Sequence, residues 1–200
     1  LSPFFNWIFA LNFKNNNMKK KTIYGLIIDK SGSMTEIRDE MFLSLNNQIQ
    51  SIKEMHQKSE QPGVVELVVF NDQIKRVIPF SSVEELRKLE EREYQVNSCT
   101  ALYDALGSTI ERISNLAKEE IDSGKCNVEI VVYTDGFENA SRMYSSHDIK
   151  RMMGKANEME NVEITLVGCD EDTLTMGREM NFKNDNMVRM SKVSMSASMD

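Results

Sequence analysis

The chain has 200 residues and a formal net charge of −7, with 40% hydrophobic and 28% charged residues. These values fit one globular domain large enough to bury a full core. They exclude the basic electrostatic footprint of a nucleic-acid binder, since the cations are scattered among acids apart from Lys19-Lys20-Lys21. Cys99, Cys126 and Cys169 are isolated in the sequence. They make neither a zinc-binding pair nor a disulfide framework, and they read as buried or free thiols in a reducing compartment.

Residues 1–17 are aromatic-rich and end in Asn15-Asn16-Asn17. The stretch falls short of the roughly 20 apolar residues of a membrane span. It also lacks the basic flank and small-residue cleavage site of a signal peptide. Met18 is therefore the expected native start, with residues 1–17 a non-native or upstream extension; an extra N-terminal helix is the alternative. The domain is expected over residues 18–190, followed by a small, polar and loosely ordered tail, 191–200. With no secretion signal visible and no membrane segment, the cytoplasm is the expected location.

Residues 22–28 form a short apolar run without strict alternation, the pattern of a strand buried on both faces. From Thr35 the period becomes helical, with Ile37, Met41, Leu45, Ile49 and Ile52 three and four apart, which predicts a helix to about His56. Gln61-Pro62-Gly63 is a turn. A second strand is expected over 64–70 and a third over 74–78, joined by a tight Asn71-Asp72 turn into an antiparallel hairpin at a sheet edge. Ser82 opens a capping-box pattern for a short helix, and the charged residues 84–93 read as a solvated surface.

Beyond the polar Asn97-Ser98-Cys99-Thr100 loop, Leu102, Leu106, Ile110, Ile113 and Leu116 outline another amphipathic helix. Residues 128–134 predict a buried strand that ends at Asp135-Gly136. Ser145 or Ser146 caps a helix carrying Ile149, Met152, Met153, Ala156 and Met159, whose methionines read as core filler. A strand over 162–167, a helix over 171–180 and a last strand over 187–190 complete the pattern. His56 and His147 are expected on helix surfaces or termini. Alternating strands and helices predict an α/β fold: a mainly parallel sheet with helices on both faces and the antiparallel hairpin at its edge.

The chemistry concentrates where strands end. Asp29, Ser31 and Ser33 follow the first strand, Thr100 precedes a helix, and Asp135 follows the strand over 128–134. Open α/β sheets place ligands at such carboxyl ends. Taken singly, Asp29 reads as a capping acid and Ser31 or Ser33 as an N-cap. Together, two carboxylates and three hydroxyls make an oxygen-only set suited to a hard divalent cation, Mg²⁺ or Mn²⁺, rather than zinc. Held largely by neutral hydroxyls, such a cation stays electrophilic and seeks an anionic ligand.

The order Asp29-x-Ser31-x-Ser33, Thr100, Thr134-Asp135-Gly136 resembles the metal-ion-dependent adhesion site of von Willebrand factor A (vWA) domains. The segments Asp-Lys-Ser-Gly-Ser-Met, Thr-Ala-Leu-Tyr-Asp-Ala-Leu and Thr-Asp-Gly-Phe-Glu-Asn-Ala-Ser are similar to those of small stand-alone bacterial members. The resemblance implies that Ser31, Ser33 and Thr100 contact the metal through hydroxyls, with Asp29 and Asp135 acting directly or through water. It also implies a Rossmann-like, doubly wound sheet with one antiparallel edge strand, in agreement with the hairpin at Asn71-Asp72, and a protein partner offering a Glu or Asp carboxylate. Lys30, Met34, Ser98, Cys99, Glu138 and Asn139 are the candidate partner contacts. Related sequences often carry glycine just before the threonine; here Ser98-Cys99 stands there, with Cys99 expected as a packed small side chain.

The expected function is a metal-dependent protein-binding module, not an enzyme. The alternative is a Mg²⁺-dependent phosphohydrolase with Asp29 as nucleophile. Such enzymes normally need a second acid two residues on, where Ser31 stands, and a phosphate-steadying lysine that the sequence does not supply at a later strand end. A relic that binds no metal is disfavoured because all five ligand positions are filled. Neither the partner's identity nor the oligomeric state is legible.

Overall fold

A computed structural model describes residues 20–168 and 170–189. The expectations for residues 1–17 and 191–200, and the positions of Cys169 and Met190, lie outside the described residues. Six strands form one sheet: β1 (Lys21–Asp29), β2 (Gly63–Phe70), β3 (Ile74–Ser82), β4 (Cys126–Thr134), β5 (Val162–Gly168) and β6 (Met187–Arg189). Their order is β3-β2-β1-β4-β5-β6, parallel throughout except for the β2–β3 pair. The expected mainly parallel sheet with one antiparallel edge strand is the fold observed. Among the described residues no helix is long and apolar enough to cross a membrane.

Helices cover both faces. On one side α1 (Arg38–Ser59) lays Met41, Leu45, Ile49 and Ile52 against Tyr24, Leu26 and Ile28 of β1. On the other side lie α2 (Leu102–Leu116), α3 (Lys118–Asp122), α4 (Ser146–Asn157) and α5 (Glu171–Glu179). They bury Leu106, Ile113, Ile121, Ile149, Met153 and Met176 against Ile23, Ile27, Val132 and Ile164. With β1 covered on both faces, every residue from Thr22 to Asp29 is buried, which is why its sequence shows no alternation. Gly25 permits the closest approach of α2: a Cβ there would lie 3.0 Å from Ile113 Cδ1 and 3.0 Å from Ile130 Cγ1. Met153 is fully buried, and Met152 and Met159 pack against the same core, as expected of filler.

Several local expectations are corrected. The third strand does not stop at Ile78 but runs past Pro79 to Ser82. Pro79 is tolerated because β3 is the sheet edge, and the β2–β3 register shifts on either side of Leu67. Residues 71–73 separate the hairpin strands, as the expected strand ends at Phe70 and Ile74 require, with Asn71 N–H donating to Gln73 O at 3.1 Å. No α-helix follows Ser82, only 3₁₀ turns at Val83–Glu85 and Glu91–Glu93. The stretch 84–93 is not a uniformly solvated surface. Leu86 and Leu89 are buried, and Asn46 of α1 grips the Leu89 backbone through both N–H (2.7 Å) and O (3.2 Å). Glu93 is buried too, in a two-pronged ion pair with Arg87 (2.8 Å each) that holds its carboxyl down at about 2. His147 is on the surface and His56 in the last turn of α1, as expected, but His56 is buried there. Its Nδ1 bonds Gln61 O at 2.9 Å and its Nε2 meets Tyr24 Oη at 3.0 Å, so the ring ties α1 to β1.

Candidate metal centre

The strand order reverses between β1 and β4, which puts a crevice at their carboxyl ends. Asp29 closes β1 and is fully buried. Its Oδ1 accepts the Ser31 N–H at 2.7 Å and its Oδ2 accepts the Thr134 hydroxyl at 2.5 Å. The carboxylate is thereby fixed to its own loop and to the end of β4. Ser31 and Ser33 hydroxyls are 3.1 Å apart, and Ser33 Oγ donates to Asp135 Oδ1 at 2.8 Å.

Thr100 comes from the loop before α2 and is buried. Backbone bonds hold that loop against the first one: Gly32 N–H to Ser98 O (3.0 Å) and Asn97 N–H to Lys30 O (3.0 Å). Ala101 N–H also donates to Asn71 O at 2.7 Å, and Asn71 Nδ2 to Asn97 Oδ1 at 2.7 Å. The hairpin turn thus helps to place Thr100, a role for Asn71 that its turn-forming sequence did not announce.

Gly136 shows that the three hydroxyls converge. A Cβ built on it would lie 2.9 Å from Ser33 Oγ, 3.3 Å from Thr100 Oγ1 and 3.6 Å from Ser31 Oγ. Three neutral hydroxyls face one point that only glycine leaves open, with the Asp29 and Asp135 carboxylates bonded to the same serine loop. The donors are all hard oxygens, so the set fits a hard divalent cation. Among the described residues no three His, Cys, Asp or Glu side chains cluster as metal ligands, so any cation here depends on the hydroxyls. Burial pushes the Asp29 carboxyl up to about 6, against the hydrogen bonds from Thr134 and Ser31; the Asp135 charge adds to the rise.

A second layer locks the Asp135 loop to the start of α2. Glu138 accepts from the N–H groups of Tyr103 (2.9 Å), Ala140 (2.9 Å) and Ser141 (2.7 Å), and from the Ser141 hydroxyl (2.7 Å). Asp104 in turn accepts from the N–H groups of Arg142 (2.8 Å), Met143 (2.8 Å) and Tyr144 (2.9 Å). Ser141 Oγ takes the Asp104 N–H at 3.0 Å. Asn139 Oδ1 accepts the Thr100 N–H at 2.8 Å, and Thr100 O accepts from Asn139 and Ala140. This clasp makes the Thr100 and Asp135 segments one rigid body. Asp104, Thr134 and Ser141 were not singled out from sequence, although each lies inside a quoted motif; the pairing across 37 residues is invisible to local pattern.

The candidate partner contacts divide. Ser98, Cys99 and Asn139 are exposed and Lys30 is half-buried beside the site. Met34 is fully buried in the α1 core and is corrected to a packing residue. Cys99 is exposed, not packed. Glu138 spends its carboxylate on the clasp. Ser98 has φ 67°, a left-handed conformation that is uncommon for a side chain other than glycine. Asp29 also anchors Tyr94, whose hydroxyl donates to Asp29 O at 2.9 Å.

The profile of the von Willebrand factor type A domain matches residues 25–198. The chain belongs to this family. Among curated protein sequences none matches it. Solved vWA-like folds include the PilB minor pilin from Streptococcus sanguinis (TM-score 0.59, 12% identity, 88% of this chain and 58% of that one). Others are the manganese-loaded TRAP protein of Plasmodium vivax (0.57, 15%, 86% and 69%) and proximal thread matrix protein 1 from the mussel byssus with a zinc-occupied MIDAS motif (0.51, 13%, 86% and 41%). At these identities the likeness is one of fold. The chain spans little more than half of the pilin and less than half of the thread protein.

Proposed function

We propose that this vWA domain is a metal-dependent protein-binding module. The observation that carries the reading is the convergence of Ser31, Ser33 and Thr100 hydroxyls on the opening left by Gly136, with Asp29 and Asp135 bonded to the serine loop. In this reading the three hydroxyls and two carboxylates hold Mg²⁺ or Mn²⁺. The cation supplies an electrophilic position for a Glu or Asp carboxylate of a partner protein, and Lys30, Ser98, Cys99 and Asn139 border the contact. The manganese in TRAP and the zinc in the thread protein's MIDAS motif support divalent-cation binding by this fold.

The phosphohydrolase alternative is disfavoured by the residue two positions after Asp29. Such an enzyme places its second acid there, whereas this chain has Ser31, whose N–H donates to Asp29 Oδ1 and whose hydroxyl lies 3.1 Å from that of Ser33. The test is calorimetric titration of chelator-stripped protein with Mg²⁺ and Mn²⁺, beside Ser33→Ala and Thr100→Ala. Saturable one-site binding that is lost in both variants is expected. Absence of binding in the wild type, or binding unchanged in the variants, overturns the metal site. A glutamate-containing peptide that binds without metal would overturn the carboxylate-capture step.

A further inference from the structure

A second cluster of charged side chains lies away from the metal centre, on the flank between β3 and α2. Glu66 of β2 is fully buried beneath it. Its two oxygens are split between two arginines: Oε1 accepts from Arg76 Nε of β3 and Oε2 from Arg112 Nε of α2, each at 2.9 Å. Both guanidinium groups are engaged only through Nε, so their Nη groups have no protein partner among the described residues. The arginine side chains remain 33% and 40% exposed. One buried carboxylate therefore orients two forks outward and leaves one positive charge of the trio unmatched.

These forks line a groove of about 830 Å³, within the size range of small-molecule sites. Arg142 adds a third guanidinium, and Leu116 and Met143 give an exposed apolar rim. The groove also carries Asp72, Asp104 and Glu111. Two of these acids are already engaged. Asp104 is committed to three backbone amides and Glu111 accepts the Tyr144 hydroxyl; these neutral donors occupy their oxygens while both carboxylates keep their charge, so the forks offer matched hydrogen-bond geometry rather than a net positive field. The arginine forks are the unfilled hydrogen-bonding groups, and paired guanidinium N–H groups match carboxylate and phosphate oxygens in geometry and charge.

We propose that the groove between β3 and α2 is a second binding site, taking a small ligand through a carboxylate or phosphate group seated on Arg76 and Arg112. Glu66 is the positioning residue that aims the two forks. The site uses none of the five candidate metal ligands, although Asp104 and Arg142 of the clasp stand in its wall.

The test follows ¹H–¹⁵N spectra, including the arginine Nε–H signals, during titration with inorganic phosphate and, in a separate arm, with succinate. Saturable shifts at Arg76 and Arg112 are expected with at least one anion, and the arm that saturates identifies the oxyanion. Arg112→Lys keeps the charge but removes the fork, and should weaken binding at least tenfold. Glu66→Gln raises the net charge yet should also weaken binding, because one fork then faces an amide N–H₂ in place of its acceptor and the other keeps only a neutral one; tighter binding would mean diffuse attraction and overturn the site. The dispersion of each spectrum reports whether the variant is folded, and if Glu66→Gln is not, Arg112→Lys carries the decision. No saturable shift with either anion, or unchanged affinity in Arg112→Lys, refutes the proposal. Metal titrations of the same samples keep this outcome separate from the fate of the metal-centre reading.

Discussion

Gly136→Ala is the sharpest perturbation of the metal-centre reading. The added methyl would sit 2.9 Å from Ser33 Oγ, 3.3 Å from Thr100 Oγ1 and 3.6 Å from Ser31 Oγ, on the point where the hydroxyls meet. Relieving the shortest contact needs only a turn of Ser33, an exposed side chain, so the overpacking cost lies at the low end, about 1 kcal/mol. Alanine recovers about 0.4–1 kcal/mol through the unfolded chain, leaving metal-free stability nearly unchanged. Metal affinity should fall at least 100-fold, or about 2.8 kcal/mol at 1.4 kcal/mol per decade. At 100 times Kd a bound cation stabilises the wild type by about 2.7 kcal/mol, which for a domain of this size is a rise in Tm of about 5–11 °C. Circular-dichroism melts in chelator and in Mn²⁺, with calorimetry beside them, read both quantities. A variant that melts like the wild type in chelator but gains no Tm with metal confirms the reasoning. A variant retaining Mn²⁺ affinity within about threefold refutes it.

Glu138→Gln and Asp104→Asn should each loosen the clasp, costing about 1–3 kcal/mol in denaturant unfolding and weakening metal binding with the five ligands intact; unchanged affinity would mean that the clasp does not position Thr100. Ser98→Gly should stabilise the fold by up to about 1 kcal/mol, the left-handed strain relieved less the entropy that glycine adds, as read from the urea midpoint. The metal-free protein should lose stability as pH rises from about 4 to 7. Burial and Glu163 raise Glu129 from 4.5 to about 7, and burial raises Asp29 from 3.8 to about 6, so folding favours their protonated forms and that advantage disappears as they ionise. Glu93 acts in the opposite sense: Arg87 lowers it from 4.5 to about 2, so its contribution is present above pH 4.5 and is lost as pH falls towards 2. Glu129→Gln should flatten the upper limb in pH-dependent urea titrations and leave the lower one.

The clasp and the hydroxyl triad together explain how a site built on loops can be well positioned. The Lys30–Ser33 loop is bonded to the 97–100 loop, that loop to the hairpin turn through Asn71, and the Asp135 loop to the head of α2. The candidate ligands from three separated segments are then set by strand ends and amides rather than by flexible side chains. The groove on the β3–α2 flank uses the same economy, with one buried carboxylate aiming two arginines.

Most element types and the donor chemistry of the candidate metal centre are legible in the amino-acid sequence alone, because both are local; the helix expected after Ser82 is an exception. Apolar runs such as 22–28 and the three-and-four spacing of Ile37 to Ile52 reflect contacts repeated along one element. Asp29 announces itself as the last residue of a strand, and Ser31, Ser33 and Asp135 by their position just after one. Thr100 stands instead in the loop before a helix. What tertiary structure decided are pairings between distant segments, whose energies no local window contains. Pro79 could stay within β3 only because that strand became the sheet edge. Arg87 and Asn46 drew Glu93 and Leu89 inward from a stretch that reads as solvated. Met34 went into the α1 core, His56 was buried against Tyr24, and Cys99 was left outside. The same long-range geometry set Glu138 and Asp104 to bind amides across the clasp, and brought Arg76 and Arg112 to one carboxylate from different elements. A side chain's type states what it can bond, and only the folded chain decides which partner reaches it first.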